Sequence, residues 1–209
     1  QSPGCTMNLR DKLLVAEHLE ALRVDIIEGG FAIASPGDFE AVKSIAGVVK
    51  NAAVASLCRA LPKDIDRAWE AVREARHPRI HTFIATSPIH MEFKLKMTPD
   101  QVYDQAVAMV RYARNLCGDV EFSLEDCSRS ERPFIYRIIE GVIAAGARTV
   151  NIPDTVGYAV PEQFGQLIAD IRANVPNVGQ ARLAVHCHND LGLAVANSLA
   201  AIRAGADQV

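Results

Sequence analysis

The sequence predicts an α/β fold, a TIM-type (β/α)8 barrel of which this chain carries only part. Short β-like runs alternate with amphipathic segments along all 209 residues, and such alternation is typical of a parallel sheet covered by helices. Several strands keep polar residues on one face, as Glu121, Ser123 and Glu125 alternate with Val120 and Phe122. An open sheet covered on both sides would give continuous apolar strands instead. The polar face favours a barrel, whose active sites lie at the carboxyl ends of its strands.

The predicted strands are short runs bounded by turn-forming residues. In chain order they are 24–28, 52–57, 79–85, 119–123, 149–152 and 182–188, with a last one opening near Gln208. No strand precedes the first predicted helix, and the last strand has no helix after it. We therefore expect one partial catalytic domain over 1–209, a barrel that within these residues lacks its first strand and the end of its last βα unit.

The predicted helices begin at recognisable capping sequences. Ser35 offers an N-cap and Pro36 fits the first helical position, and Thr98 and Pro99 repeat this pattern. The helix after Thr98 carries apolar residues at a period of about 3.6 through Leu116. The other helices are expected over 9–22, 38–49, 65–76, 132–145, 162–175 and 193–204. The stretch 94–96 is expected to be a solvated loop.

Composition excludes several classes of function. The formal net charge is −3 and no basic cluster is present, which argues against nucleic acid or an anionic membrane as the main partner. No apolar run approaches the roughly 20 residues that cross a bilayer. The five cysteines are scattered, so we expect free thiols in the cytoplasm. The chain has no signal peptide pattern and no initiator Met, so we expect it to begin inside a longer protein.

The most informative motif is a pair of histidines after an apolar run. Because side chains alternate along a strand, His186 and His188 should share one face while Cys187 points to the other. Two imidazoles on a rigid strand suit a divalent metal with open coordination positions. Two other interpretations stay open on the motif alone: a pair of hydrogen-bonded core histidines, or a strand end facing solvent.

A set of segments in one order resembles the catalytic barrel of the 2-isopropylmalate synthase family. That family belongs to a larger group of metal-dependent barrels with homocitrate synthase, citramalate synthase and hydroxymethylglutaryl-CoA lyase. The resemblance covers essentially the whole chain and is carried by 28–31, 35–40, 79–87, 120–123, 151–158 and 186–192.

The resemblance implies a Claisen-type condensation of acetyl-CoA with 3-methyl-2-oxobutanoate, the first committed step of leucine biosynthesis. It implies an acyltransferase that forms a homodimer, with a divalent metal ion (Mn²⁺, Zn²⁺ or Mg²⁺) held by His186 and His188. It also implies a third ligand, an Asp, upstream of Gln1, and an Asn beyond Val209 that is a ligand or lies next to the ligands.

The same resemblance assigns four further site residues. His81 matches a catalytic residue that lines the 2-oxo acid pocket, and Ser123 and Glu125 match a polar pair near the oxo acid, with Glu125 orienting substrate or transferring a proton. Thr155 matches a threonine that contacts the substrate carboxylate. Ordinary structural roles stay open for each: a buried histidine for His81, an ion pair for Glu125 and a turn or cap for Thr155.

Other functions remain open at this point. Citramalate synthase would use pyruvate, and homocitrate synthase would need a cation for a second carboxylate, which no inward Lys or Arg beside His81 offers. A lyase of the same barrel would run the chemistry in reverse. A non-catalytic barrel fragment or assembly subunit is the alternative of another class.

Overall fold

The computed structural model describes residues 6–209 and shows the predicted alternation. Within these residues the α-helices are Leu9–Ala21 (α1), Pro36–Val48 (α2), Pro62–Val72 (α3), Pro99–Leu116 (α4), Arg132–Ala144 (α5), Pro161–Asn174 (α6) and Ala194–Arg203 (α7). The strands are Ile26–Gly30 (β1), Ala53–Arg59 (β2), Pro78–Ala85 (β3), Val120–Glu125 (β4), Thr149–Asp154 (β5) and Arg182–Cys187 (β6). They follow one another in the sheet in chain order, and β1–β2, β4–β5 and β5–β6 pair in parallel.

The two predicted capping sequences begin helices as expected. The Ser35 hydroxyl accepts a hydrogen bond from the Asp38 amide (3.1 Å), and Pro36 is the first residue of α2. At the start of α4 the Thr98 hydroxyl accepts from the Gln101 amide (3.3 Å), while the Gln101 side chain accepts from the Thr98 amide (2.9 Å). These side chains satisfy amides that have no partner within the helix.

The first strand begins later than predicted. Arg23 adopts a left-handed conformation with φ 60°, and the Val24 amide donates back to the Leu19 carbonyl (3.3 Å). These bonds close the end of α1, a way in which many helices terminate. The chain therefore enters β1 only at Ile26.

Two segments near strand ends also differ from the prediction. The strand expected near Gln208 is an isolated bridge to Ala184. The prediction of a loop at 94–96 is wrong for residues 94 and 95, which belong to a π-helix, His90–Leu95. Lys96 caps this helix with φ 55°. A π-helix has a wider period than the 3.6 residues that an amphipathic pattern reveals. Two short 3₁₀ helices, Cys127–Arg129 and Val178–Gln180, complete the description.

The first of two compact units runs to His81 and includes Asn115–Asp119. Strands β1 and β2 pair in parallel with Ile27 opposite Val54. Their core is formed with α1, α2 and α3, where Val42 and Val72 are fully buried. Trp69 packs against this core while partly buried, as its position on a helix predicts.

The second compact unit contains Thr82–Arg114 and Val120–Val209. Phe122 of β4 and Ile152 of β5 are fully buried, as are apolar side chains of α5 and α6. Ser123 and Asn151 alternate with these residues and pair in register across β4 and β5. The polar positions of these strands therefore lie side by side, which is the arrangement that the alternating sequence predicted.

The cysteines are unpaired where the structure describes them, as the sequence predicts. The four cysteines within residues 6–209 are free thiols, and Cys5 lies outside the described residues. Among the described helices, none is long and apolar enough to cross a membrane.

Candidate functional site

Three parallel strands of the second unit bring their carboxyl ends to one edge. The register places Pro153 opposite His186 and Asp154 opposite Cys187. Glu125 is the last residue of β4, and Thr155 directly follows β5. Because parallel strands all end on the same side of a sheet, four predicted site positions, Ser123, Glu125, Thr155 and His186, lie on or just past these three strands.

The two histidines form a contacting pair. Their ring centroids are 5.0 Å apart, with the ring planes at 66°. β6 ends at Cys187, so His188 lies one residue past the strand, where its amide donates to the Asp154 carbonyl (3.2 Å). The Cys187 thiol has its pKa raised by burial, partly opposed by a hydrogen bond with Ser198 of α7. The two imidazoles therefore contact each other, and the Cys187 thiol is turned toward α7.

The histidine pair fits part of a metal site by the chemistry of its donors. Neutral imidazole nitrogens bind Zn²⁺ and Mn²⁺, and a catalytic site keeps positions for water or substrate. Within residues 6–209, no group of three or more His, Cys, Asp or Glu side chains is placed to hold a metal ion. The described residues thus supply two donors of the predicted kind.

Glu125 is held by a cation that the sequence had not connected with it. Lys94 donates to both carboxylate oxygens, at 2.6 and 2.8 Å. The side chain of Glu125 is 19% exposed and that of Lys94 is 49% exposed, so the pair lies at the surface of the unit. A bidentate bond of this kind orients the carboxylate as well as neutralising it.

Ser123 has a buried polar neighbour. The Asn151 side-chain amide donates to the Ser123 hydroxyl at 2.8 Å, and both residues are buried. This bond crosses from β5 to β4 within the polar face. The sequence motifs did not identify Asn151 as a site residue. Its place on the polar side of the alternating β5 sequence could have indicated that it lies beside Ser123.

Thr155 takes part in the structure of the strand ends. Its hydroxyl accepts a hydrogen bond from the Asp126 amide at 2.9 Å. The preceding Asp154 is fully buried, and its carboxylate accepts from the Ser128 hydroxyl (2.9 Å) and the Ala159 amide (3.1 Å). Asp154 therefore holds the ends of these loops together. The Thr155 hydroxyl uses its oxygen as an acceptor for the Asp126 amide, and its proton can be donated to another group.

A buried carboxylate follows Glu125 directly. Asp126 is 0% exposed and accepts hydrogen bonds from Ser87 (2.5 Å), from His90 Nδ1 (2.8 Å) and from Arg129, the closest at 2.6 Å. Burial opposes ionisation, but the bonds from Arg129, Ser87 and His90 outweigh it and hold the pKa of Asp126 below its usual value. Asp126 is thus a carboxylate that stays charged inside the protein.

The Ser87, His90 and Asp126 side chains do not form a nucleophilic triad. Ser87 Oγ and Asp126 Oδ2 both contact the same ring nitrogen, Nδ1 of His90, at 2.9 and 2.8 Å. A triad requires the nucleophile on one ring nitrogen and the carboxylate on the other. Ser87 is also fully buried, which leaves no route for a substrate to its hydroxyl.

His81 belongs to the first unit and pairs there with a carboxylate. Its Nδ1 bonds to Glu28 Oε2 of β1, and the His81 side chain is 11% exposed. The Cys58 thiol donates to the His81 carbonyl at 3.5 Å. A carboxylate on one ring nitrogen fixes the orientation of an imidazole, as in many functional histidines.

A surface cleft of about 350 Å³ lies in the second unit. It is bordered by Ser128, Arg132 and Tyr158 and by the first turns of α6. None of the six predicted site residues lines it. The cleft adjoins the end of β5, because Ser128 and Ala159, which line it, both donate to the Asp154 carboxylate.

Parallel strands in chain order, each followed by a helix, with polar groups at the strand ends, define the class of TIM-type α/β barrel proteins. The chain belongs to the HMGL-like family, whose model matches residues 1–209. The predicted fold class is confirmed by solved structures. A hydroxymethylglutaryl-CoA lyase from Pseudomonas aeruginosa matches with a TM-score of 0.77 at 20% identity, over 98% of this chain and 69% of that chain. One from Brucella melitensis gives 0.75 at 18% identity, over 98% and 74%.

The sequence relatives confirm the resemblance seen in the motifs. The chain is 61% identical to a 2-isopropylmalate synthase of Ruminiclostridium cellulolyticum, over 100% of this chain and 41% of the relative. It is 60% identical to one of Aquifex aeolicus, over 100% of this chain and 40% of the relative. The chain thus spans about two fifths of the length of the curated relatives that it matches.

Proposed function

We propose that the chain is the partial catalytic barrel of a 2-isopropylmalate synthase, with residues 1–209 in one catalytic domain. The complete protein would condense acetyl-CoA with 3-methyl-2-oxobutanoate to 2-isopropylmalate and CoA. The observation that carries the proposal is the 61% identity to such a synthase over the whole chain. The contacting histidines at the end of β6 support it, because two imidazoles could hold a metal ion. Such an ion would polarise the ketone that the condensation attacks. Assembly as a homodimer and location in the cytoplasm are part of the proposal and rest on the resemblance.

His186 and His188 are the proposed holders of a divalent metal ion together with further ligands, since residues 6–209 place no group of three or more His, Cys, Asp or Glu side chains around one. Zn²⁺ and Mn²⁺ suit imidazole donors, and water-rich coordination also allows Mg²⁺. When bound, the ion supplies Lewis-acid polarisation of the 2-oxo group. The edge-to-face arrangement of the two rings keeps both imidazoles on one side of the strand end.

The other residues of this edge are proposed to bind and orient the substrates. The Thr155 hydroxyl oxygen accepts from the Asp126 amide, and its proton stays available to donate to a substrate carboxylate, which can only accept. Ser123 is fixed by Asn151 and presents a second polar group on the same face. In the condensation, the acetyl methyl group loses a proton and its carbon bonds to the ketone carbon, while the C=O π electrons move to the ketone oxygen, which takes up a proton. Water then hydrolyses the thioester, giving the carboxylate and free CoA.

Glu125 and His81 are the proposed catalytic residues. The Glu125 carboxylate is held in place by Lys94. In this position it is proposed to orient the substrate or to accept a proton. The proposal for His81 in the 2-oxo acid pocket rests on the resemblance, and its ring is fixed by Glu28.

The proposed function is tested with the complete protein that contains these residues. CoA release is followed by a thiol reagent with acetyl-CoA and each of three acceptors: 3-methyl-2-oxobutanoate, pyruvate and 2-oxoglutarate. We expect the highest kcat/KM with 3-methyl-2-oxobutanoate. A preference for pyruvate would assign the protein as a citramalate synthase instead. Release with none of the three, in protein that is folded and loaded with metal, would overturn the condensation itself.

A further inference from the structure

Two consecutive carboxylates at the end of β4 hold the same short helix. Asp126 accepts from His90, the first residue of the π-helix, at 2.8 Å. Glu125 accepts from Lys94 of the same helix at 2.6 and 2.8 Å. His90 and Lys94 are four residues apart, about one turn of a π-helix, so they lie on one side of it.

The two carboxylates differ in what they can reach. Asp126 is fully buried, whereas Glu125 and Lys94 are both partly exposed. A substrate can therefore meet the Glu125–Lys94 pair but cannot touch the Asp126 carboxylate. Any effect of Asp126 on catalysis must pass through the residues that it holds.

The position of Asp126 is unfavourable unless its bonds are made. Its backbone adopts the left-handed region with φ 64°, and its charge is withdrawn from water. Strain of this kind persists only where surrounding contacts fix it. The bonds from Ser87, His90 and Arg129 supply those contacts, and they tie the end of β3 and the π-helix to the end of β4.

We propose that Asp126 is a positioning residue that fixes the π-helix His90–Leu95 so that Lys94 meets Glu125. The catalytic part of this inference rests on the proposed function, because it takes Glu125 to act on substrate. The structural part does not, because it concerns only the helix and its two anchors. π-helices are rare and short, so a helix of this type depends on contacts outside itself.

The structural part is tested by hydrogen–deuterium exchange on the complete protein. Asp126→Asn keeps the size of the side chain and removes the charge, and Lys94→Met is the matched control that breaks only the second anchor. We expect amides of residues 89–97 to exchange at least about tenfold faster in Asp126→Asn, with a smaller change in Lys94→Met. Unchanged exchange in this segment, or an equal increase throughout β4, β5 and β6, would overturn the proposal. If Asp126→Asn does not fold, Ser87→Ala, which removes one donor to Asp126, is measured and judged by the same criterion.

The catalytic part is tested by a double-mutant cycle on kcat and KM. We expect Asp126→Asn to lower kcat/KM about tenfold alone, and less than about twofold in a Lys94→Met background, because coupled residues are not additive. Additive effects would show that Asp126 does not act through Lys94. If the wild-type protein releases no CoA, the proposed function fails, while the exchange experiment still decides whether Asp126 fixes the helix.

Discussion

His186 and His188 are the residues whose replacement tests the metal site directly. We expect His186→Ala and His188→Ala each to lower metal content and CoA release by more than about 100-fold, since even residues behind a metal ligand are worth 10- to 100-fold. The matched control is His18→Ala, a replacement of an exposed histidine on α1. Metal per chain is measured by elemental analysis, with circular dichroism to verify folding. Wild-type metal content in both variants would contradict the ligand assignment.

Cys127 provides a second test at the level of single residues. Burial raises the pKa of its thiol well above the usual range, with only partial opposition from Arg132. The thiolate is the reactive form of cysteine, so Cys127 should be nearly inert at pH 8 in the native protein. We expect iodoacetamide to label Cys187, which is partly exposed, before Cys127, as read by peptide mass spectrometry. Labelling of both at one rate in folded protein would show that the Cys127 environment is open.

At the scale of elements, the loop after β5 meets the loop after β6 at a glycine. Gly157 has φ +66°, and a Cβ built there would lie 2.2 Å from Asp190 Oδ2. We expect Gly157→Ala to lower the free energy of unfolding by about 1–3 kcal/mol, because both the backbone conformation and the space disfavour a side chain. The control is Gly47→Ala in α2, where nothing lies within 4 Å and alanine should stabilise by about 0.5–1 kcal/mol. Urea denaturation measures both, and equal stability of Gly157→Ala and wild type would contradict the clash.

The helices and strands were predictable because their signals are local. Ser35 and Thr98 mark helix starts within four residues of sequence, and the alternation through β4 separates Ser123 from Phe122. The closeness of the two histidines was predictable for the same reason, since they are two residues apart at the end of one strand, although His188 itself lies just past β6. The Lys94–Glu125 pair and the Asp126 cluster were not, because their partners are distant in the chain. Ser87 and Asp126 are 39 residues apart, and no periodic pattern predicts which buried donors meet there.

Across the molecule, the described residues provide only part of the proposed metal site, and the chain matches only part of the length of its relatives. Residues 6–209 hold no cluster of three metal-binding side chains, and the chain spans 41% of a relative with which it is 61% identical. A site with two donors binds a divalent ion weakly, because catalytic sites use three protein ligands as a rule. Activity should therefore belong to the complete protein rather than to these 209 residues.

A comparison of the 209-residue chain with the complete protein tests this expectation. We expect the complete protein to release CoA from acetyl-CoA and 3-methyl-2-oxobutanoate, and the 209-residue chain to release none above background at equal metal concentration. Isothermal titration with Mn²⁺ should show at least about tenfold weaker binding by the short chain, the effect expected from incomplete coordination. The His186→Ala variant of the complete protein is the reference for a damaged site within an otherwise whole molecule. The expectation would be wrong if the 209-residue chain were monodisperse, melted cooperatively and had the activity of the complete protein. In that case its own residues would supply the further ligands that complete the metal site.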